Sequence, residues 1–407
     1  MNIKDKLKRL DPSSKEKDEL QSSKQNQNKI ISVLGGKLKE NQEGVFFKKK
    51  EKYQLQYKHG LHSLEGIKNY EKEQFKYIFN YKKGFENRLD YRNFLFIDTE
   101  TTGLAGGTGT VPFMVGLGYF TEENFIVEQL FMRDFDEEAA LLEALKQMIK
   151  SYPIIVSFNG KSFDLPLIKT RLVMNRCREI NYKCHLDLLH ASRRVWSHLE
   201  SCSLTSLEEN ILNITREDYL PGSEVPGLYF DYLNNNHPRA LVPVFRHNLI
   251  DIVSLVTLIN HLSLVHDHKS SFDLNERELF NLGKLYEKEK KMEKSINFYE
   301  KALDKTDSIY LKTKINKKLS WQYKREKKWK QALKIWNKMA ENKRGGIFPY
   351  VEMAKYYEHQ TREYKKAINC TKKAAAFLKE KRRIKTNYEE KKEELEHRLN
   401  RLKRKIN

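Results

Sequence analysis

At 407 residues the chain exceeds what one hydrophobic core usually organises, so two or three domains are expected. Apolar residues make up 39% and aromatics 11%, which excludes a wholly disordered protein, while a mean hydropathy of −0.74 implies a heavily charged surface. Net charge is +21, split as +8 over residues 1–90, −6 over residues 91–270 and +19 over residues 271–407.

An acidic middle between basic ends suits a carboxylate-lined cation site with polyanion-binding neighbours, although solvated basic helices would give the same count. No stretch reaches the roughly 20 apolar residues needed to span a bilayer, and the opening MNIKDKLKRLD has no apolar signal core. A cytoplasmic protein with no membrane partner is expected. The four cysteines form no C-x-x-C pair, so reduced thiols are the default. Cys177, Cys184 and His185 raise a zinc question, for which ordinary packing is the better answer.

Along the chain, residues 1–45 are polar and of low complexity and read as a disordered basic segment. Residues 46–90, richer in Tyr and Phe, read as a short lead-in to the core. The core itself is expected over residues 91–268. The apolar run 93–98 (NFLFID) reads as a buried strand, followed by two strands over 111–120 and 124–133 joined by a turn. Residues 137–150 carry helical periodicity with acids in the first turn. A strand over 154–158, an Asn-Gly turn and a helix opening near Pro166 come next. Beyond them lie a strand near 183–186, helices near 188–200 and 204–212, a proline-glycine loop over 220–227, and a long helix over about 240–265. The order predicts an α/β fold with a mixed sheet: antiparallel hairpins first, parallel crossovers later.

Past residue 271 the pattern is helical throughout. Ser295, Ala332 and Ala367 recur 37 and 35 positions apart in similar surroundings, close to the 34-residue period of tetratricopeptide repeats. Residues 272–380 are therefore expected to be an all-α repeat domain, and 381–407 a charged C-terminal helix.

Three carboxylate motifs stand out. Asp98 and Glu100 end the first core strand, two apart and so on one face. Asp164 follows Asn159-Gly160-Lys161-Ser162-Phe163 at a helix start, where an acid could serve merely as a cap. His247 and Asp251 lie four apart on the long helix and share a side. Each is weak alone, since D-x-E triplets and His-Asp helix pairs are common. Together, in this order, they describe a site that gathers acids for hard divalent cations such as Mg²⁺ or Mn²⁺. Two such ions could stabilise the attacking and leaving oxygens of phosphodiester hydrolysis, with His247 as base. Lys161, Arg193, Arg194 and Arg246 are candidate phosphate contacts. Residues 103–110 (GLAGGTGT) lack phosphate-loop spacing and read as a substrate-side loop.

FIDTETTGL, FNGKSFDLPLI and HNLIDIVSL resemble the three motifs of the DEDD exonuclease superfamily. The segments LDLLHASRRVW, SLTSLEENIL and REDYLPGSEVPGLYFDYL make residues 90–262 look like its YprB-like branch. The resemblance implies a ribonuclease-H-like sheet in which Asp98, Glu100, Asp164 and Asp251 hold two Mg²⁺ or Mn²⁺ ions and His247 is the general base. Thr99, Asn159 and Lys161 would meet substrate, and Asp187 would be a supporting acid near the site. One departure is visible: three residues separate His247 from Asp251, where the histidine-type motif has four.

The expectation is a 3′–5′ exonuclease on single-stranded nucleic acid, with the repeats meeting nucleic acid or a partner protein. The rival reading is a non-catalytic nucleic-acid-binding or scaffold protein on a nuclease-like fold.

Overall fold

The structure, a computed structural model, describes residues 29–69, 89–103, 107–217, 219–266, 272–380 and 387–406, arranged as two compact units, Met1–Phe272 and Asp273–Asn407. The first is built on a seven-stranded sheet. In chain order its strands are β1 (Lys37–Asn41), β2 (Gly44–Gln54), β5 (Phe94–Thr101), β6 (Pro112–Phe120), β7 (Asn124–Phe131), β8 (Ile154–Ser157) and β9 (Cys184–Asp187). A two-residue ribbon, β3 (Lys58–His59) with β4 (His62–Ser63), lies apart. The spatial order is β1-β2-β7-β6-β5-β8-β9, antiparallel from β1 to β5 and parallel across β5, β8 and β9.

β6 and β7 are buried along their whole length, as strands covered on both faces must be, which explains runs such as PFMVGLGYF that do not alternate. Around the sheet stand α1 (Glu138–Ser151), α2 (Asp164–Met174), α3 (Leu188–Trp196), the short α4 (Leu204–Leu207), α5 (Val225–Asn235) and α6 (Val242–His266). α6 is apolar on nearly every side because it lies against the sheet. Its approach depends on two glycines of β6. A Cβ at Gly116 would stand 2.2 Å from Asn248 Oδ1, and one at Gly118 2.6 Å from Ile252 Cγ2.

Several expectations change here. The first 28 residues of the segment read as disordered lie outside the described residues, but 29–34 are helical and 37–41 form β1. Composition misleads there because β1 and β2 add to the edge of β7, where Lys and Glu can alternate into solvent while Phe46 and Phe47 turn inward. Helix α5 begins at Val225, inside the stretch read as a loop; Pro226 sits in its first turn, where a missing N–H costs nothing. Of the loop over 103–110, residues 104–106 lie outside the described residues. The helical span Pro238–His266 is, by length and composition, apolar enough to cross a bilayer, contrary to the sequence expectation; 83% of that window is buried within the fold.

The second unit is all helical: α7 (Glu276–Lys288), α8 (Met292–Lys305), α9 (Ile309–Arg325), α10 (Trp329–Glu341), α11 (Phe348–His359), α12 (Tyr364–Glu380) and α13 (Tyr388–Arg404). The three small residues aligned by the sequence, Ser295, Ala332 and Ala367, are fully buried in it. Glu358, whose side chain is wholly buried, accepts from Arg398 (3.0 Å), Arg401 (2.8 Å) and Lys405 (2.9 Å), tying α13 to α11.

Candidate active site

Asp98 and Glu100 project from the end of β5, whose pairing with β6 shifts register between Glu100 and Thr101. Asp164 is the first residue of α2, an acid in its first turn behind the N-cap Phe163, whose side chain cannot cap the helix. Asp251 and His247 come from α6, held against the sheet by the glycines of β6. The four carboxylates are close enough to act on one another. Burial above all, and then the charges of Asp251, Glu100 and Asp164, push Asp98 well above the usual carboxylate range, against a hydrogen bond from Asn248. Burial, Asp251 and Asp164 do the same to Glu100. Asp164 is raised to about 6, mainly by burial.

Such a cluster is unfavourable without a cation, and one atom points to where it belongs. Glu100 Oε1 is buried and, among the described residues, has no hydrogen-bond partner. Ligand atoms of Glu100, His247 and Asp251 all lie within 4.8 Å of one another. Buried carboxylate oxygens with an orphaned acceptor fit a hard divalent ion.

The surrounding residues are arranged to hold these acids. Asn248, fully buried, donates to Asp98 Oδ2 at 2.9 Å and accepts from Gln129 Nε2 at 3.0 Å. The hydroxyl of Thr99, expected to meet substrate, donates to Asp164 and so positions that acid. Asn159 and Lys161 form the turn leading to Asp164, with Asn159 in the left-handed region at φ 65°. Their N–H groups donate to Asp187, each at 3.0 Å, and their side chains are exposed. Asp187 also accepts from Leu189 N, so it braces the Asp164 turn and starts α3. Of the zinc candidates, His185 bonds Ser157 Oγ at 2.7 Å, and the Cys177 thiol faces the Asn175 carbonyl.

The residue that sequence reasoning missed is Arg216. Its side chain is 5% exposed and grips the fully buried Glu208 through two bonds of 2.7 Å. It also donates to Asp251 and, at 3.2 Å, to His247 Nδ1. Burial opposes its charge, but Glu208 and Asp251 raise its proton affinity further. Arginine can only donate, so Nδ1 of His247 must accept; in the neutral ring the proton then sits on Nε2, 3.4 Å from Asp251 Oδ2. The Nδ1 lone pair is therefore taken up by Arg216, and Nε2 lies at ion-pair distance from Asp251. Arg216 stands 35 positions from Asp251 in no motif with it, so only the fold could reveal the contact. The candidate Arg246 is instead an outward residue 3.7 Å from Glu217.

Residues 95–263 match the model of the RNase H superfamily. Over 366 residues the chain is 30% identical to protein YprB of Bacillus subtilis (strain 168), described as uncharacterized, covering 87% of this chain and 84% of that one. A shorter stretch of 71 residues is 35% identical to DNA polymerase 1 of Aeropyrum pernix, covering 17% of this chain and 7% of the polymerase.

Proposed function

We propose that this chain, which belongs to the YprB family within the RNase H superfamily, is a divalent-metal-dependent nuclease that removes nucleotides 3′–5′ from single-stranded ends. The observation that carries the reading is the orphaned, buried Glu100 Oε1 among converging carboxylates of β5, α2 and α6. Asp98, Glu100, Asp164 and Asp251 would hold two Mg²⁺ or Mn²⁺ ions. Such ions, when bound, stabilise charge on the attacking and leaving oxygens of a phosphodiester.

The chain's own residues do the rest. Asn248 and Thr99 hold Asp98 and Asp164 in place, and Asp187 fixes the turn that delivers Asp164. Lys161, exposed on that turn, would meet a phosphate. His247 could take a proton from water only after its contact with Arg216 opens, so the base role requires a shift of that guanidinium. The C-terminal helices would be tetratricopeptide-like, and the protein cytoplasmic.

The test is degradation of end-labelled single- and double-stranded DNA and RNA with Mg²⁺ or Mn²⁺. Asp98→Ala and Asp251→Ala should each abolish it; undiminished activity in both would overturn the assignment. Cleavage of a circular strand would replace exonuclease by endonuclease. A second reading is favoured by one observation, the guanidinium seated on Asp251. A retired site serving as a scaffold would keep that internal cation and bind no Mn²⁺ in titration calorimetry.

A further inference from the structure

We propose that the outer face of α10, with the groove at its C-terminal end, is a binding surface for single-stranded nucleic acid. The choice of partner rests on the nuclease reading above; the binding itself requires no catalysis.

Residues 309–350, spanning α9, α10 and the turn after it, hold 13 Lys and Arg against only 2 acids, Glu326 and Glu341. Some of these cations are internal struts. Lys318 and Arg325 pair with Glu287 at 3.0 and 3.5 Å, and Lys324 with Glu352 at 2.6 Å. Others are not so used. Lys330, Lys334 and Lys338 recur every four residues, so they line one face of α10 at steps of about 6 Å along its axis. All three are exposed, as are Lys343 and Arg344 in the following turn. Among the described residues none of the five has a carboxylate within ion-pair distance. Like charges four apart weaken a helix by about 0.2–0.5 kcal/mol per pair, so this row works against folding and has no partner inside the unit to offset it.

The row runs into a groove of about 540 Å³ walled by α8, α9 and α10 and lined by Lys338 itself. Lys312, itself 3.5 Å from Asp307, and Arg344 supply two further cations against one acid, Asp304, and Asn316 and Asn342 supply amides. Ile309, 54% exposed, lines the groove, and the neighbouring Tyr310 is 68% exposed with Lys314 Nζ 4.2 Å from its ring centroid, a cation already seated on an aromatic face. A row of unpaired cations leading toward an exposed tyrosine is the combination that single strands use, phosphates on the cations and a base on the ring. An acidic peptide would satisfy the charge but leave the tyrosine unused. The groove is too small for a duplex to enter.

The experiment is fluorescence anisotropy of a labelled 20-nucleotide single strand, DNA and RNA, with the full chain in EDTA so that nothing is hydrolysed. The variant K334E/K338E/R344E is compared with K365E/K372E/K379E, an equal charge reversal on exposed positions of α12. The first should bind at least about tenfold more weakly, and its dependence of log K on log salt should flatten by about 2, as loss of three phosphate contacts requires. The α12 variant should stay close to wild type. The neutral K334Q/K338Q/R344Q should show an intermediate loss with an unchanged circular dichroism melt, which separates binding from misfolding. Equal losses in both reversal variants would mean diffuse attraction and overturn the proposal, as would no loss in the first. So would a surface whose reversal abolishes polyglutamate binding yet leaves oligonucleotide binding intact. Because binding is read without metal, failure of the nuclease reading would appear separately, as absent hydrolysis in Mn²⁺ with this pattern of binding preserved.

Discussion

Replacing Asp164 with asparagine should remove a pH dependence that the metal-free protein owes to its own site. Burial, despite hydrogen bonds from Thr99 and the backbone, moves this carboxyl from its ordinary 3.8 to about 6. The folded state therefore keeps a proton, between those values, that the unfolded chain has released. Its contribution to stability is complete below about pH 3.8 and is lost as pH rises through 6. One pKa unit corresponds to about 1.4 kcal/mol, so the loss by neutral pH is roughly 3 kcal/mol. Asparagine cannot titrate and still accepts from Thr99. Neutralising position 164 also relieves Asp98 and Glu100, both raised in part by its charge, so the coupling acts in the same direction. In EDTA, Asp164→Asn and wild type should melt alike near pH 4. At pH 7.5 the variant should melt about 6–12 °C higher in the transition belonging to the first unit, given about 2–4 °C per kcal/mol for a domain of this size. Scanning calorimetry from pH 4 to 7.5 measures it, with the relevant transition identified as the one that Mn²⁺ moves. Saturating Mn²⁺ should reverse the order by rewarding the intact carboxylate. A difference between the two proteins that is the same at both pH values would refute the reasoning.

Arg216→Met should cost about 3–5 kcal/mol in urea unfolding, because it strands the buried Glu208 carboxylate. The double variant E208Q/R216M should recover most of that, and no recovery would mean the pair is not the buried unit described. Gly116→Ala drives a methyl into Asn248, so it should destabilise by about 1–3 kcal/mol. It should also weaken Mn²⁺ binding in calorimetry by loosening Asp98; unchanged metal affinity would show that the Asn248–Asp98 bond does not organise the site. Glu358→Gln removes the charge and one of the two acceptor oxygens shared by Arg398, Arg401 and Lys405, so amide exchange within Tyr388–Arg404 should accelerate relative to α7, and equal protection would contradict it.

The elements read from sequence were those whose pattern is local. FLFID ending in an acid, the alternation-free runs of β6 and β7, and the acidic start of α1 each carry their own periodicity, and the structure places strands and a helix there. β1 and β2 were not legible, because an edge strand of Lys and Glu differs from a solvated tail only in having β7 to pair with. The nature of α6 was underread for the opposite reason. His, Asn and Asp interrupt its apolar composition, and their burial against β6 is known only once Gly116 and Gly118 have let it approach.

The same division runs through the site. The sequence by itself determined which carboxylates belong together, since Asp98, Glu100, Asp164, His247 and Asp251 sit in short motifs whose spacing sets strand face, helix start and helix face. Only the tertiary structure decided what surrounds them. Arg216 on His247, Asn248 on Asp98, and Asp187 bracing the turn at Lys161 are meetings between residues 26 to 150 positions apart. No local periodicity encodes such meetings, because they arise where separately buried surfaces close on one another and each polar group must find whatever partner the packing brings. That closure is also what sets Arg216 on His247 Nδ1 and leaves Glu100 Oε1 without a partner among the described residues.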